Sequence, residues 1–335
     1  MPLWCLLCFL LSAGCQHELS LPESPPPVEL PPHFPPLPVP ADNPLTPERI
    51  ELGRRLFYDP YALSPTGTHA CASCHRQERA FSDAPMLSTG IHGRKHWRST
   101  LSLANAAYAP ALLWDGSVRS LEEDVLLTLS SPQALGWSDT AAFARHLRAL
   151  PSYREAFLRA FGAEPSAERA AKAIAAFVRS LLSGHAPYDR FVCGDSSALS
   201  PSQLRGMQLF FRIGCADCHR PPLFTDYAFH CTGLLAHYWE EGRKAVTGNP
   251  ADYARFRTPS LRNVAVTAPY LHDGSLNSLR EVLRRYNAGG YPVPTKDWRI
   301  RPLGLSDEEL ADLEAFLHSL TDSALLRNPR YARPE

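Results

Sequence analysis

Methionine is scarce in this chain: beyond Met1, only Met86 and Met207 occur among 335 residues. A site built on thioether ligation has almost nothing to draw on. Charge of one sign is equally lacking, since Lys+Arg and Asp+Glu both count 34; no basic field speaks for nucleic acid and no acidic one for a cationic partner. No Lys or Arg precedes Arg49, and the apolar opening stretch, Met1 to Cys15, is too short to span a bilayer as a mature helix. Nor does any region show the regular alternation of a sheet protein. With 44% hydrophobic and 20% charged residues, the chain can still build one or two packed domains.

Residues 1–15 read as an export segment. Ser12, Ala13 and Gly14 before Cys15 resemble a bacterial lipoprotein signal, in which Cys15 becomes the lipidated first residue; Gln16 after it does not signal inner-membrane retention. The expected location is the periplasm, with a lipid anchor in the outer membrane. An ordinary secretory signal or a misplaced start codon is the alternative, because the positive n-region is missing. Residues 16–43 are dominated by proline from Leu21 to Pro40, which suits an extended tether outside the fold.

Nine cysteines are present, and four fall into Cys71-Ala72-Ser73-Cys74-His75 and Cys215-Ala216-Asp217-Cys218-His219, two copies of the haem c attachment signature. The spacing lets both thiols form thioethers to one porphyrin edge while the adjoining His ligates iron from the proximal side. A redox dithiol or half a zinc site would not require a His directly after both pairs. The sequence thus predicts two covalent haems c, attached through Cys71, Cys74, Cys215 and Cys218, with His75 and His219 as proximal ligands. Cys193 and Cys231 are left over in an oxidising compartment, and their pairing stays open.

An internal repeat runs through the chain. Ser102-Leu103-x-Asn105 recurs as Ser260-Leu261-x-Asn263, and Asp115-Gly116-Ser117-x-x-Ser120-Leu121-x-Glu123 recurs as Asp273-Gly274-Ser275-x-x-Ser278-Leu279-x-Glu281, each 158 residues on (260 − 102; 273 − 115). The surroundings read as helical. Capping boxes stand at Ser200 to Gln203, Ser278 to Glu281 and Ser306 to Glu309, and Ser166 to Leu182 is an Ala-rich amphipathic stretch with Ile174, Phe177, Val178 and Leu181 on one face. The fold expected is mainly α, with one haem domain per half: 44–190 and 191–325, followed by a tail, 326–335. The capped helix of the second half carries Tyr286 where the offset gives Thr128 in the first. Tyrosinate binds ferric iron and threonine ordinarily does not, so one haem is expected to be six-coordinate and the other open.

From about Leu45 to Leu320 these residues resemble the dihaem cytochrome c peroxidase and MauG family. The specific blocks are Glu51-Leu52-Gly53-x-x-Leu56-Phe57-x-Asp59-Pro60, Trp114-Asp115-Gly116, and Ser260 to Tyr270, SLRNVAVTAPY. The resemblance implies two cytochrome-c-like domains whose haems face a shared interface. It implies Tyr286 as distal ligand in the MauG-like branch, where peroxidases have Met, and a phenolate lowers the iron potential relative to a thioether. It places Trp114 between the haems, where an indole can carry an electron hole. It aligns Asn263, Thr267 and Pro269 with the segment that binds an inter-haem calcium, although the family's asparagine ligand falls on Ser99. His92 lies about one residue out of register with the removable histidine ligand of the peroxidases. The family's distal Glu falls on Ala134 and its partner Gln on Asp124, so Asp124, Glu123 or His92 is left to move the peroxide proton.

The function implied is a peroxide-using dihaem oxidoreductase, with hydrogen peroxide at the first haem and oxidising equivalents shared with the second. The reductant or protein substrate is open, with a small c-type cytochrome or cupredoxin among the donors considered. The alternatives are a conventional cytochrome c peroxidase and a non-enzymatic electron carrier or haem-based sensor.

Overall fold

The computed structural model describes residues 28–335, so Cys15 and the expected signal segment lie outside the described residues. The fold is mainly helical. The first half contains α1 (Pro47–Tyr58), α2 (Pro60–Leu63), α3 (Leu121–Ser130), α4 (Thr140–Arg148), α5 (Pro151–Phe161) and α6 (Ala167–Ser180). After the short α7 (Pro187–Val192) come α8 (Pro201–Arg212), α9 (Lys244–Thr247), α10 (Leu279–Asn287), α11 (Asp307–His318) and α12 (Ser323–Arg327). Two-residue strands β1 (Phe229–His230) and β2 (Phe256–Arg257) pair antiparallel, with Phe229 opposite Arg257. Among the described residues no helix is long and apolar enough to cross a membrane.

Helix ends follow the local chemistry. Ser166, Ser200 and Ser306 cap α6, α8 and α11 by accepting the backbone N–H three residues on, and Gln203 and Glu309 complete reciprocal boxes. The alanines of α6 keep its surface narrow enough for α1 to cross closely. At the crossing, a Cβ on Gly53 would stand 1.9 Å from the Ala173 carbonyl oxygen. The crossing of α8 and α11 has the same requirement, with a Cβ on Gly206 falling 1.8 Å from the Asp312 carbonyl oxygen. Only glycine permits either approach.

Each crossing carries its own aromatic core. Phe57 meets Phe177 and Phe81 edge-on, at 5.1 and 5.9 Å; Phe210 packs on Phe316 at 5.1 Å and Tyr188 on Phe224 at 4.9 Å. Fully buried side chains of this size contribute about 2–3 kcal/mol each by leaving water. The halves are tied at Ser183. Asn105 donates to the Ser183 carbonyl (3.0 Å) and accepts its N–H (2.9 Å), while Asn263 donates to the Ser183 hydroxyl (2.9 Å).

Two sequence expectations change. Residues 28–43 are not a free tether: Phe34 and Asn43 are buried, Arg262 lies over the Phe34 ring at 4.7 Å, and Asn43 donates to Glu122 at 2.7 Å. Proline content excluded helix there but did not exclude packing. Residues 326–335 are not a loose tail either. Tyr58 donates to the Tyr331 carbonyl and Gln77 to those of Leu325 and Asn328, with Leu325 buried in the first core, so the chain end returns to the half where it began. Cys193 is exposed and Cys231 buried, and both are free thiols.

Candidate active site

Each haem signature forms one 3-10 turn, Cys71–Ser73 and Cys215–Asp217. The turn is closed by His75 N–H to the Cys71 carbonyl (2.9 Å) and His219 N–H to the Cys215 carbonyl (3.0 Å), which swings the imidazole back beneath its two thiols. His75 Nδ1 bonds the Phe81 carbonyl at 2.7 Å and His219 Nδ1 that of Phe224 at 3.2 Å. A carbonyl only accepts, so Nδ1 carries the proton and Nε2 is left with its lone pair, as an iron ligand requires. Burial lowers both imidazole pKa values, His219 to about 4, which favours the neutral, ligating form.

Both signatures open onto one cavity of about 860 Å³. Its walls fit two haems. Cys71, Cys74, His75, Cys215, Cys218 and His219 all line it, together with Trp114, Thr128 and Tyr286. Burial pushes the thiols of Cys71 and Cys215 up to about 12. Arg257 is buried against the cavity, its Nε reaching the Leu113 carbonyl at 3.1 Å, and no carboxylate among the described residues pairs with it. Burial depresses its pKa; a buried guanidinium of this kind calls for an anion, and a haem carries carboxylate arms.

The two halves differ on the side facing each imidazole. Tyr286, on α10, reaches the cavity with a hydroxyl that enters no hydrogen bond among the described residues. Burial is the main cause that raises its phenol pKa. A phenolate there needs a cation beside it, which ferric iron would supply. Thr128, at the matching place on α3, offers no such group. Asp124, one turn earlier, lines the same wall, and burial followed by the charge of Glu123 raises its carboxyl to about 6. The second half has Val282 at that position.

Glu123 is exposed and spent on capping: its carboxylate accepts the Arg119 N–H at 2.8 Å while its own N–H donates to Ser120. It does not line the cavity, which removes it from the acid–base set. His92 is exposed at positive φ (59°), and it too is absent from the cavity wall. The 3-10 turn that carries it is anchored by Ile91 N–H to the Ala134 carbonyl at 3.0 Å, which turns the His92 side chain outward. His96 lines the wall instead, with its Nε2 buried and unpartnered. Trp114 donates its indole N–H to the Ser99 carbonyl at 2.8 Å and meets His272 edge-on at 6.4 Å.

The expected calcium set does not assemble. Asn263 is fully buried with both ends of its amide in use, donating to Ser183 and accepting the Asp322 N–H at 2.8 Å. The Thr267 hydroxyl donates to the Val264 carbonyl. The asparagine that sequence offers as a ligand instead seals the junction of the halves. Among the described residues, Cys218, Asp226 and His230 form the cluster of metal-binding side chains that comes together. With Cys218 committed to attachment, His230 is held by Asp226 at 3.0 Å and Asp297 at 2.8 Å.

Sequence reasoning missed His96, Arg257 and His272. For His272 a signal existed: it occupies the position of Trp114 in the repeat (272 − 114 = 158). For the other two, the burial that makes them notable is a tertiary property.

The profile of the di-haem cytochrome c peroxidases matches residues 47–197. The cytochrome-c peroxidase IdrP1 of Denitromonas iodatirespirans is 39% identical over 322 residues, covering 86% of this chain and 85% of its own. The methylamine utilization protein MauG of Methylorubrum extorquens is 39% identical over 288 residues, covering 85% and 81%. Among solved structures, a MauG-like protein associated with microbial copper homeostasis superposes with a TM-score of 0.87 at 36% identity, covering 91% of this chain and 98% of that one. The diheme peroxidase BthA from Burkholderia thailandensis shares the fold, with a TM-score of 0.72 at 24% identity. The chain belongs to the di-haem cytochrome c peroxidase and MauG family, and is a peroxide-using oxidoreductase with two c-type haems.

Proposed function

We propose that this protein is a MauG-like member of its family, with hydrogen peroxide handled on the His75 side and the oxidising equivalents shared with the His219 side through Trp114. The observation that carries the reading is the contrast between Thr128 and Tyr286 at matching places on α3 and α10. When bound, the haems supply ferric iron that takes up peroxide and relays electrons. His75 and His219 would hold the two irons through Nε2, and Tyr286 would supply a further ligand to the second. Asp124, ionised above about 6, is suited to accept a proton from one peroxide oxygen and return it to the departing one. Trp114, fixed by its bond to Ser99, keeps an indole between the two sides.

A conventional cytochrome c peroxidase is disfavoured, because neither Met86 nor Met207 lines the cavity. The repeat supports reading the halves as duplicated haem domains, each built on a Gly-mediated helix crossing. Residues before 28 are read as a lipoprotein signal and short tether, placing the protein in the periplasm on an outer-membrane anchor. Its reductant or protein substrate would come from that compartment.

Optical and EPR spectra of the ferric holoprotein, before and after stoichiometric hydrogen peroxide, test the proposal. One high-spin and one low-spin haem, both responding to peroxide, is the expected result. Two low-spin haems indifferent to peroxide would make the protein an electron carrier or sensor.

A further inference from the structure

His272 is 4% exposed, and its Nε2 has no hydrogen-bond partner; the nearest charged atom is Glu240 Oε1 at 3.6 Å. A buried imidazole nitrogen without a partner is costly, so packing has to hold the ring in place. The packing is aromatic on every side. His272 stacks on Phe256 at 3.8 Å and 15°, lies parallel to Tyr238 at 5.9 Å and 7°, and has Trp114 and Trp239 each at 6.4 Å. A set of ring contacts thus leads from Trp114 to Trp239, which lines the same cavity and is 58% exposed.

An ion network braces both ends of this set. Arg98 donates to Asp115, the neighbour of Trp114, at 2.7 Å and to Glu240, the neighbour of Trp239, at 2.9 Å. A lone exposed indole is ordinary on a protein surface. An exposed indole joined through His272 to a tryptophan of the cavity that holds both haem attachment sites is not.

We infer that Trp239 is the surface inlet for electrons, through which a small aromatic or phenolic one-electron donor, able to stack on the indole, supplies Trp114. The inference rests on the proposed peroxide reading and adds its donor class and route. Reduction of hydrogen peroxide to two waters takes two electrons and two protons. Two donor molecules each give one electron at Trp239 and release one phenolic proton to solvent, which balances the turnover. Because Tyr286 makes the second haem a poor point of direct electron entry, a separate inlet is what the asymmetry of the halves requires. Tyr238 and His272 are positioning residues on this route.

Without a donor, the two electrons must come from the protein, and Trp239 should be oxidised in place, gaining one oxygen from water. The holoprotein is mixed with hydrogen peroxide and its tryptophans are mapped by peptide mass. Trp298 serves as the internal control, being more exposed at 84% and absent from the cavity wall. The expected result is oxygen added first at Trp239, and several-fold slower phenol-dependent turnover in Trp239→Phe with the peroxide response of the haem spectrum retained. Oxidation ordered by exposure, with Trp298 first, or unchanged turnover in Trp239→Phe, overturns the inference alone. A haem spectrum that ignores peroxide removes the proposed function and this inference with it.

Discussion

The two halves share a frame and differ in what they present to their haems. In both, a serine caps the helix after the Asp-Gly-Ser turn, an asparagine at positive φ bonds Ser183, and a glycine lets two helices cross. The lining side chains then diverge. The first half offers Asp124 and Thr128, an acid and a small hydroxyl; the second offers Val282 and Tyr286, an apolar branch and a phenol. Position 104 in the first half is alanine, whereas its counterpart Arg262 forms a buried pair with Asp189. Backbone-determining positions are thus kept in register while the side chains that line the cavity are exchanged.

The largest expected effect comes from erasing that difference. Tyr286→Phe removes the phenol proposed to ligate the second iron, and the low-spin ferric signal of that haem should be lost in EPR while Thr128→Val leaves the spectrum as it was. An unchanged low-spin signal in Tyr286→Phe would remove the axial-ligand assignment.

Next is the buried pair of Arg262 with Asp189, which has no counterpart at Ala104. Arg262 makes two bonds of 2.8 and 2.9 Å to Asp189, and the same carboxylate accepts the Ala186 N–H and faces His33. Burial alone would raise the Asp189 pKa, but the Arg262 bonds and charge outweigh it and hold the carboxyl below its ordinary value. Asp189→Ala strands the guanidinium and should cost about 3–5 kcal/mol in urea unfolding. Because the folded pKa is depressed, the stabilisation is complete above the unfolded value of about 3.9 and is lost as pH falls through the folded one. The wild type should therefore lose stability in that acid range more steeply than Asp189→Asn.

The shared junction should respond more evenly. Asn105→Ala and Asn263→Ala each leave buried groups around Ser183 unpaired, at a cost of about 1–3 kcal/mol by denaturant titration. A loss confined to one variant would show that the halves do not share this hinge. The smallest effect expected is on pH dependence. Since the Asp124 carboxylate acts in its ionised form, the rate of the peroxide reaction should rise through about pH 6 and flatten in Asp124→Asn, as stopped-flow absorbance would show.

Much of the frame was legible because it depends on local rules. The capping serines, the helical stripe of α6 and the two attachment signatures act over a few residues, and the structure forms helices and turns where those patterns stand. The repeat likewise pointed to Tyr286 and Thr128 as counterparts. What misled was sequence proximity used as a guide to the site. His92 and Glu123 sit in the expected segments, yet a 3-10 turn faces one to solvent and a helix cap occupies the other. The amide of Asn263 has the right type for a calcium ligand, but its bonds are already taken across the junction.

The sequence by itself carried two haem attachment signatures, the histidines that follow them, a repeated set of motifs and a phenol in the second half where the first has threonine, all set by residue identity at fixed spacing. Only the tertiary structure decided that residues 28–43 and the chain end pack onto the domains and that Asp124 lines the cavity. Only it brought His272, from the second half, against Trp114 of the first. Burial and cross-chain contact are properties of the packed whole, since desolvation and stacking depend on which distant surfaces close over a side chain.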